Sequence, residues 1–153
     1  LGEPYSHAAA MRRVLDHDGV TMVQVGIRAL CQAEADFYDA NRHRIHMHLA
    51  VDRPRWDIET MLAPLRGRPV YLTVDIDALD GSIMPATGTP TPGGLIYPDL
   101  LAVLRRAAEV GNIVGMDLVE FAPIAGFHAY DALAAHLAQK MLNYALSGTT
   151  RRA

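Results

Sequence analysis

The sequence predicts an α/β fold, a parallel sheet with helices on both faces, and three observations carry that prediction. Short β-branched or aromatic runs such as VTMVQVGI (20–27) and PVYLTVDID (69–77) alternate with segments whose apolar residues recur at helical spacing. The alternation continues through the whole chain, as in right-handed βαβ units that build a parallel sheet. A length of 153 residues with 50% hydrophobic and 20% charged residues suits one globular domain able to bury a core, and no repeat or linker divides it.

Each element has a local reason. Ser6 precedes Ala8, Ala9, Ala10, Met11, Val14 and Leu15, which predicts a helix from about Ser6 to Asp16 with His7 in its first turn. Asp18-Gly19 turns the chain into the strand 20–27. A helix over 32–40, a strand over 44–51 and a short helix over 57–65 follow. The last stops at Gly67-Arg68-Pro69, before the strand 69–77. Residues 78–96 hold Gly88, Pro90, Pro92, Gly93 and Gly94 and read as a loop, and so long a loop inside a compact domain is usually functional. Pro98 opens a helix to about Val110, NIVGMDLVEF (112–121) is a strand, and 129–146 is a long helix ending at Ser147-Gly148.

Composition narrows the function classes. The net charge is −3 and the basic residues are scattered, so no basic stripe is offered to nucleic acid. No apolar run reaches the roughly 20 residues that span a bilayer, and no charged-then-apolar leader is recognisable, which predicts a chain without a membrane partner. The single Cys31 suits a reducing compartment, and the expected location is cytoplasmic. The chain starts at Leu1 and reads from there like the middle of a longer sequence.

Chemistry concentrates where the apolar strand 69–77 ends, in TVDIDALDGS (73–82). In parallel sheets, ligands bind beyond the carboxyl ends of the strands. Asp75, Asp77 and Glu120 all fall at such ends. Residues two apart on a strand share a face, so Asp75 and Asp77 are expected to point to one spot while Ile76 packs opposite. Two neighbouring carboxylates invite an oxygen-preferring cation such as Mg, Ca or Mn. From spacing alone, capping of nearby backbone groups or pairing with arginines serves equally well. The Asp-x-Asp-Gly-Thr strand end of haloacid dehalogenase-type phosphotransferases does not fit, because Ala78 follows the second aspartate and Asp80-Gly81-Ser82 arrives three positions late. His43, His46 and His48 lack a carboxylate or cysteine to complete a metal set.

The stretch VYLTVDIDALDGSIMPATGTPTPGGL (70–95) resembles the signature of the ureohydrolases, the arginase and agmatinase family. There a strand ends in Asp-x-Asp-x-x-Asp-Pro and continues into a Gly-Thr-Gly-Thr-Pro-x-x-Gly-Gly loop. Gly81 stands at the usual proline and Ala86 at the usual first glycine, outside the presumed ligands. YSHAAAMRR (5–13), VQVGIRAL (23–30) and MDLVEFAP (116–123) are similar to the family's Ser-His-Gly, Gly-Ile-Arg and Asp-Leu-Val-Glu-x-x-Pro segments, in the family's order. Agmatinases are nearest in wording.

The resemblance implies an arginase-like three-layer fold and Mn-dependent hydrolysis of a guanidino compound, agmatine-like, to urea and an amine by a metal-bridging hydroxide. It implies two Mn ions, roughly 3.5–4 Å apart, that acidify water. Asp75 is then a bridging metal ligand and Asp77 a ligand to one ion, with Asp80 steadying the loop. Glu120 pairs with the substrate guanidinium, and His7 shuttles a proton toward the leaving amine. Arg28 and Thr87 to Thr89 shape the site. The family's Gly-Gly-Asp-His and Asp-Ala-His-x-Asp motifs, which supply the remaining ligands, are absent from these residues. The expectation is therefore one domain, 1–153, forming the carboxyl-terminal half of a ureohydrolase. Such a half is expected to work as a homo-oligomer or with a chain that supplies the missing half. The alternative is a non-catalytic binding or assembly module.

Overall fold

A computed structural model describes the backbone of residues 3–150 and the side chains of residues 3–148, so Leu1 lies outside the described residues. The elements follow the predicted order. A 3-10 turn at His7–Ala9 leads into α1 (Ala10–Val14), then β1 (Met22–Ile27), α2 (Gln32–Ala40) and β2 (Ile45–Leu49). A 3-10 segment at Ala50–Arg55 precedes α3 (Ile58–Leu62), and β3 (Pro69–Asp75) runs into a 3-10 turn at Ile76–Ala78. After the loop come α4 (Tyr97–Val110), β4 (Asn112–Val119) and α5 (His128–Thr150).

Both strand pairings are parallel, β1 with β2 and β3 with β4, so each pair is joined by a crossover connection. They form two separate two-stranded ladders rather than one sheet. β1 and β3 are nonetheless neighbours at both ends. Arg68, just before β3, donates to Thr21 Oγ1 at 2.8 Å and to the Gly19 carbonyl at 3.2 Å. Arg28, just after β1, donates to the Asp77 carbonyl at 2.6 Å. Arginine side chains thus span what a backbone ladder, with strands about 4.8 Å apart, would otherwise close.

α4 joins the two ladders. Its Leu100 and Leu104 pack with Val74, Ile76, Leu137 and Met141 beneath β3, while Val103, Ala107 and Val110 pack with Met61, Leu62, Val23 and Val25 beneath β1. The spacing of these residues is the helical repeat read from the sequence. Each fully buried aliphatic side chain contributes about 1.5–3 kcal/mol. On β3 the alternation is strict: Val70 and Val74 are buried, whereas Tyr71, Thr73 and Asp75 are exposed on the other face. There Tyr71 Oη and Thr73 Oγ1 both donate to Asp117 of β4, at 3.0 and 2.6 Å. β4 carries a register shift that leaves Val114 64% exposed.

Ser6 occupies the predicted cap position, but its side chain makes no cap hydrogen bond, and only a 3-10 turn and five α-helical residues follow. The loop after residue 78 lacks regular structure, as its glycines and prolines require, yet it is packed. Leu79, Met84 and Ala86 are 0% exposed and Leu95 is 1% exposed, all within the core beneath β3. The extra methyl of Ala86, in place of the family's glycine, is therefore spent on core packing.

Candidate active site

The site grows from the place where the β3–β4 ladder runs out. The last paired residues are Asp75 and Val119. Beyond them β3 tightens into a 3-10 turn, and β4 leaves through Glu120, whose φ of 64° is left-handed. No other non-glycine among the described residues has a positive φ. Such a conformation costs an L-residue roughly 1–2 kcal/mol and marks functional positions.

Asp75 and Asp77 therefore do not share a face by strand alternation, as the two-residue spacing predicts, because the strand ends at Asp75. They are brought together by the turn. Asp75 Oδ1 accepts the backbone N–H of Asp77 at 3.1 Å, and Ile76 between them is fully buried. The capping and the arginine contact that the sequence left open are thus both present, since Arg28 Nη2 lies 3.7 Å from Asp77 Oδ1. Neither consumes the carboxylates. Asp77 Oδ2 accepts Thr89 Oγ1 at 3.0 Å, which orients the group from the loop side.

The three carboxylates sense one another. The Asp75 carboxyl is pushed up to about 6, chiefly by its partial burial and further by the charges of Asp77 and Glu120, against the lowering effect of the Asp77 N–H. A carboxylate crowded by like charge favours any cation that enters. Glu120 faces the loop: a Cβ on Gly88 would stand 3.9 Å from Glu120 Oε2. The loop returns to β4 through the Ala122 N–H, which donates to the Ala86 carbonyl at 2.9 Å.

Asp80 does what the sequence expected of it. One oxygen accepts Ser82 Oγ and N–H at 2.5 and 3.0 Å, and the other accepts the N–H groups of Gly93 and Gly94 at 2.7 and 3.1 Å. Those donors, Ser82 first, hold its carboxyl down to about 2. Gly94 is needed here, because a Cβ would meet the Asp80 N at 2.5 Å.

His7 is exposed in the first 3-10 turn, and its side chain makes no hydrogen bond or ion pair with the described residues. The structure thus places the Asp75 carboxylate within reach of the charges of Asp77 and Glu120, and His7 belongs to no hydrogen-bonded group with them. His46 and His48 share the β2 face beside Val23 and Val25, and burial followed by the neighbouring His46 lowers the pKa of His48. Sequence reasoning missed the Thr89 contact to Asp77 and the Thr91 contact to Arg28, although both threonines stand in the signature loop.

Oxygen donors fit a hard cation such as Mn. Among the described residues no group of three His, Cys, Asp or Glu side chains forms a metal set, and Asp75 and Asp77 offer two carboxylates at this strand end. A wide concavity, lined by Arg12, Asp18, Thr21, His43 and Arg44, lies at the amino ends of β1 and β2, away from these carboxylates. No helix among the described residues is long and apolar enough to cross a membrane.

Comparison with known proteins agrees with the geometry. The sequence model of the arginase family matches residues 1–143. The N(1)-aminopropylagmatine ureohydrolase of Synechocystis sp. is 37% identical over 94% of this chain and 46% of its own length. The agmatinase of Bacillus subtilis is 35% identical over 96% of this chain and 49% of its own. The agmatine ureohydrolase of Thermoplasma volcanium superposes with a TM-score of 0.78 at 28% identity, over 100% of this chain and 52% of that one. The chain spans about half the length of the relatives it matches. A match from one end of the chain nearly to the other, carried by fold as well as sequence, means that this chain belongs to the arginase family.

Proposed function

We propose that this chain is the carboxyl-terminal half of a cytoplasmic, Mn-dependent ureohydrolase domain that hydrolyses an agmatine-like guanidino compound to urea and an amine. The observation that carries the reading is the convergence of Asp75, Asp77 and Glu120 where β3 and β4 end, with the Asp75 carboxyl raised to about 6. Asp75 and Asp77 are the residues of this chain that would hold the cations. The chemistry that a pair of Mn ions supplies when bound is an acidified water at neutral pH.

The chain's own groups account for the remaining work. Thr89 orients the Asp77 carboxylate through Oδ2, and Oδ1 lies 3.7 Å from Arg28 Nη2, longer than a hydrogen bond. Glu120 presents a carboxylate to a planar guanidinium, whose paired N–H groups match its two oxygens. Its left-handed backbone holds it at the cost of local strain, with Oε2 near Gly88 of the loop. His7 serves as the proton carrier to the leaving amine, a task suited to an imidazole that makes no side-chain hydrogen bond with the described residues. The remaining ligands come from residues outside this chain, in the same polypeptide or in a partner.

The reading is tested by metal analysis and urea release in the natural protein that carries this chain. Mn loading should support urea release from agmatine, and Asp75→Asn should abolish both Mn retention and turnover. Mn retention and turnover unchanged in Asp75→Asn would remove Asp75 from the site.

A further inference from the structure

We infer that Arg28 is a positioning residue of the cation site: it grips the turn that presents Asp77 and so sets cation affinity without touching the cation. The inference rests on the proposed role of Asp75 and Asp77 and extends it to a group that ligates nothing.

Arg28 follows the last residue of β1, and its side chain is only 16% exposed. A guanidinium withdrawn from water must find acceptors for its donors. Nη2 donates to the Asp77 carbonyl at 2.6 Å, and Nε donates to Thr91 Oγ1 at 2.8 Å. Nη1 makes longer contacts, 3.4 Å each, to the carbonyls of Gly26 and Ala78. One planar group therefore ties three segments together: the end of β1, the 3-10 turn at Ile76–Ala78, and the glycine- and proline-rich loop.

The placement of the charge matters as much as its contacts. A guanidinium used to neutralise Asp77 would form short paired bonds to its carboxylate. Instead Nη2 makes its short bond to the main-chain oxygen and stays 3.7 Å from Oδ1. The turn is thereby held from two sides. The Asp75 carboxylate caps the Asp77 N–H, and Arg28 takes the Asp77 carbonyl. With both polar groups of the Asp77 main chain fixed, its Cα–Cβ direction is fixed too, and Thr89 then orients the carboxylate. Partners that orient a ligand in this way typically govern metal affinity by about 10–100-fold. Lysine cannot substitute, because a single ammonium lacks the rigid fork that reaches Asp77, Ala78 and Thr91 together.

The test measures Mn affinity by titration calorimetry in the natural protein that carries this chain, together with the thermal midpoint with and without Mn. Arg28→Met should weaken Mn binding about 10–100-fold, and Arg28→Lys should recover only part of that loss. The Mn-induced rise in midpoint should shrink in parallel. Where Arg28→Met does not fold, Thr91→Val removes one partner of the guanidinium at the loop and should weaken Mn binding several-fold. Wild-type Mn affinity in folded Arg28 variants, alongside loss of Mn in Asp75→Asn, would overturn the positioning role while leaving the cation site standing. Unchanged Mn binding in Asp75→Asn would overturn the cation site, and the role of Arg28 with it.

Discussion

At the scale of single residues, charge and backbone strain make separable predictions. The raised Asp75 carboxyl binds more protons in the folded than in the unfolded state between its ordinary value near 4 and about 6. Stability contributed by this group therefore rises as pH falls through 6, and the ionised form is a liability at neutral pH. The metal-free protein should show that component of rising thermal midpoint between pH 7 and 5, and Asp75→Asn should remove it. Asp80 has the opposite sign: its stabilisation is present above the ordinary carboxylate range and is lost as pH falls toward about 2. Glu120 tests the strain. Denaturation should find Glu120→Gly more stable than Glu120→Ala by about 1 kcal/mol, since only glycine adopts a φ of 64° freely. Equal stabilities would mean that the left-handed backbone carries no cost. The aspartates were legible as site candidates because three of them crowd a strand end. The way they meet was not, since a spacing of two does not say whether the chain is still extended.

At the scale of elements, the sequence revealed every strand and the longer helices, because their apolar residues keep one period throughout. Boundaries moved where two signals competed. The stretch 69–77 looks extended to its end, but the β4 partner leaves at Glu120 and the turn begins at Ile76. The helix read from Ser6 to Asp16 is a three-residue 3-10 turn followed by five α-helical residues, and Ser6 supplies no side-chain cap. The loop was legible as irregular and not as core, since the order of its glycines and prolines hides the burial of Leu79, Met84 and Leu95. Met84→Ala should thus cost about 2–5 kcal/mol in chemical denaturation, a core-like loss from a loop position. A cost below 1 kcal/mol would show that the loop rests on the fold without supporting it.

At the scale of the whole molecule, parallel pairing and the sheet-and-helix layering were readable, but the division into two ladders was not. Strand order depends on which edges meet, and the chain's own residues do not decide that between β1 and β3. The edges and the outer face of β3–β4 leave backbone groups and side chains such as Tyr71 and Val114 open. The chain of 16.7 kDa taken alone should therefore associate with rising concentration in size-exclusion chromatography, and Val114→Lys should reduce that association. A strictly monomeric profile for the unmodified chain would argue that these surfaces are self-sufficient. The buried loop has a consequence for diversification. Relatives of this chain carry different substrate names, agmatinase and N(1)-aminopropylagmatine ureohydrolase. A loop that must fill the interior is not free to drift, so new substrate preferences have to arise in segments whose side chains the interior does not need. Mutational tolerance measured position by position should accordingly be lowest at Leu79, Met84, Ala86 and Leu95, and should rise along the exposed stretch from Pro123 to Phe127.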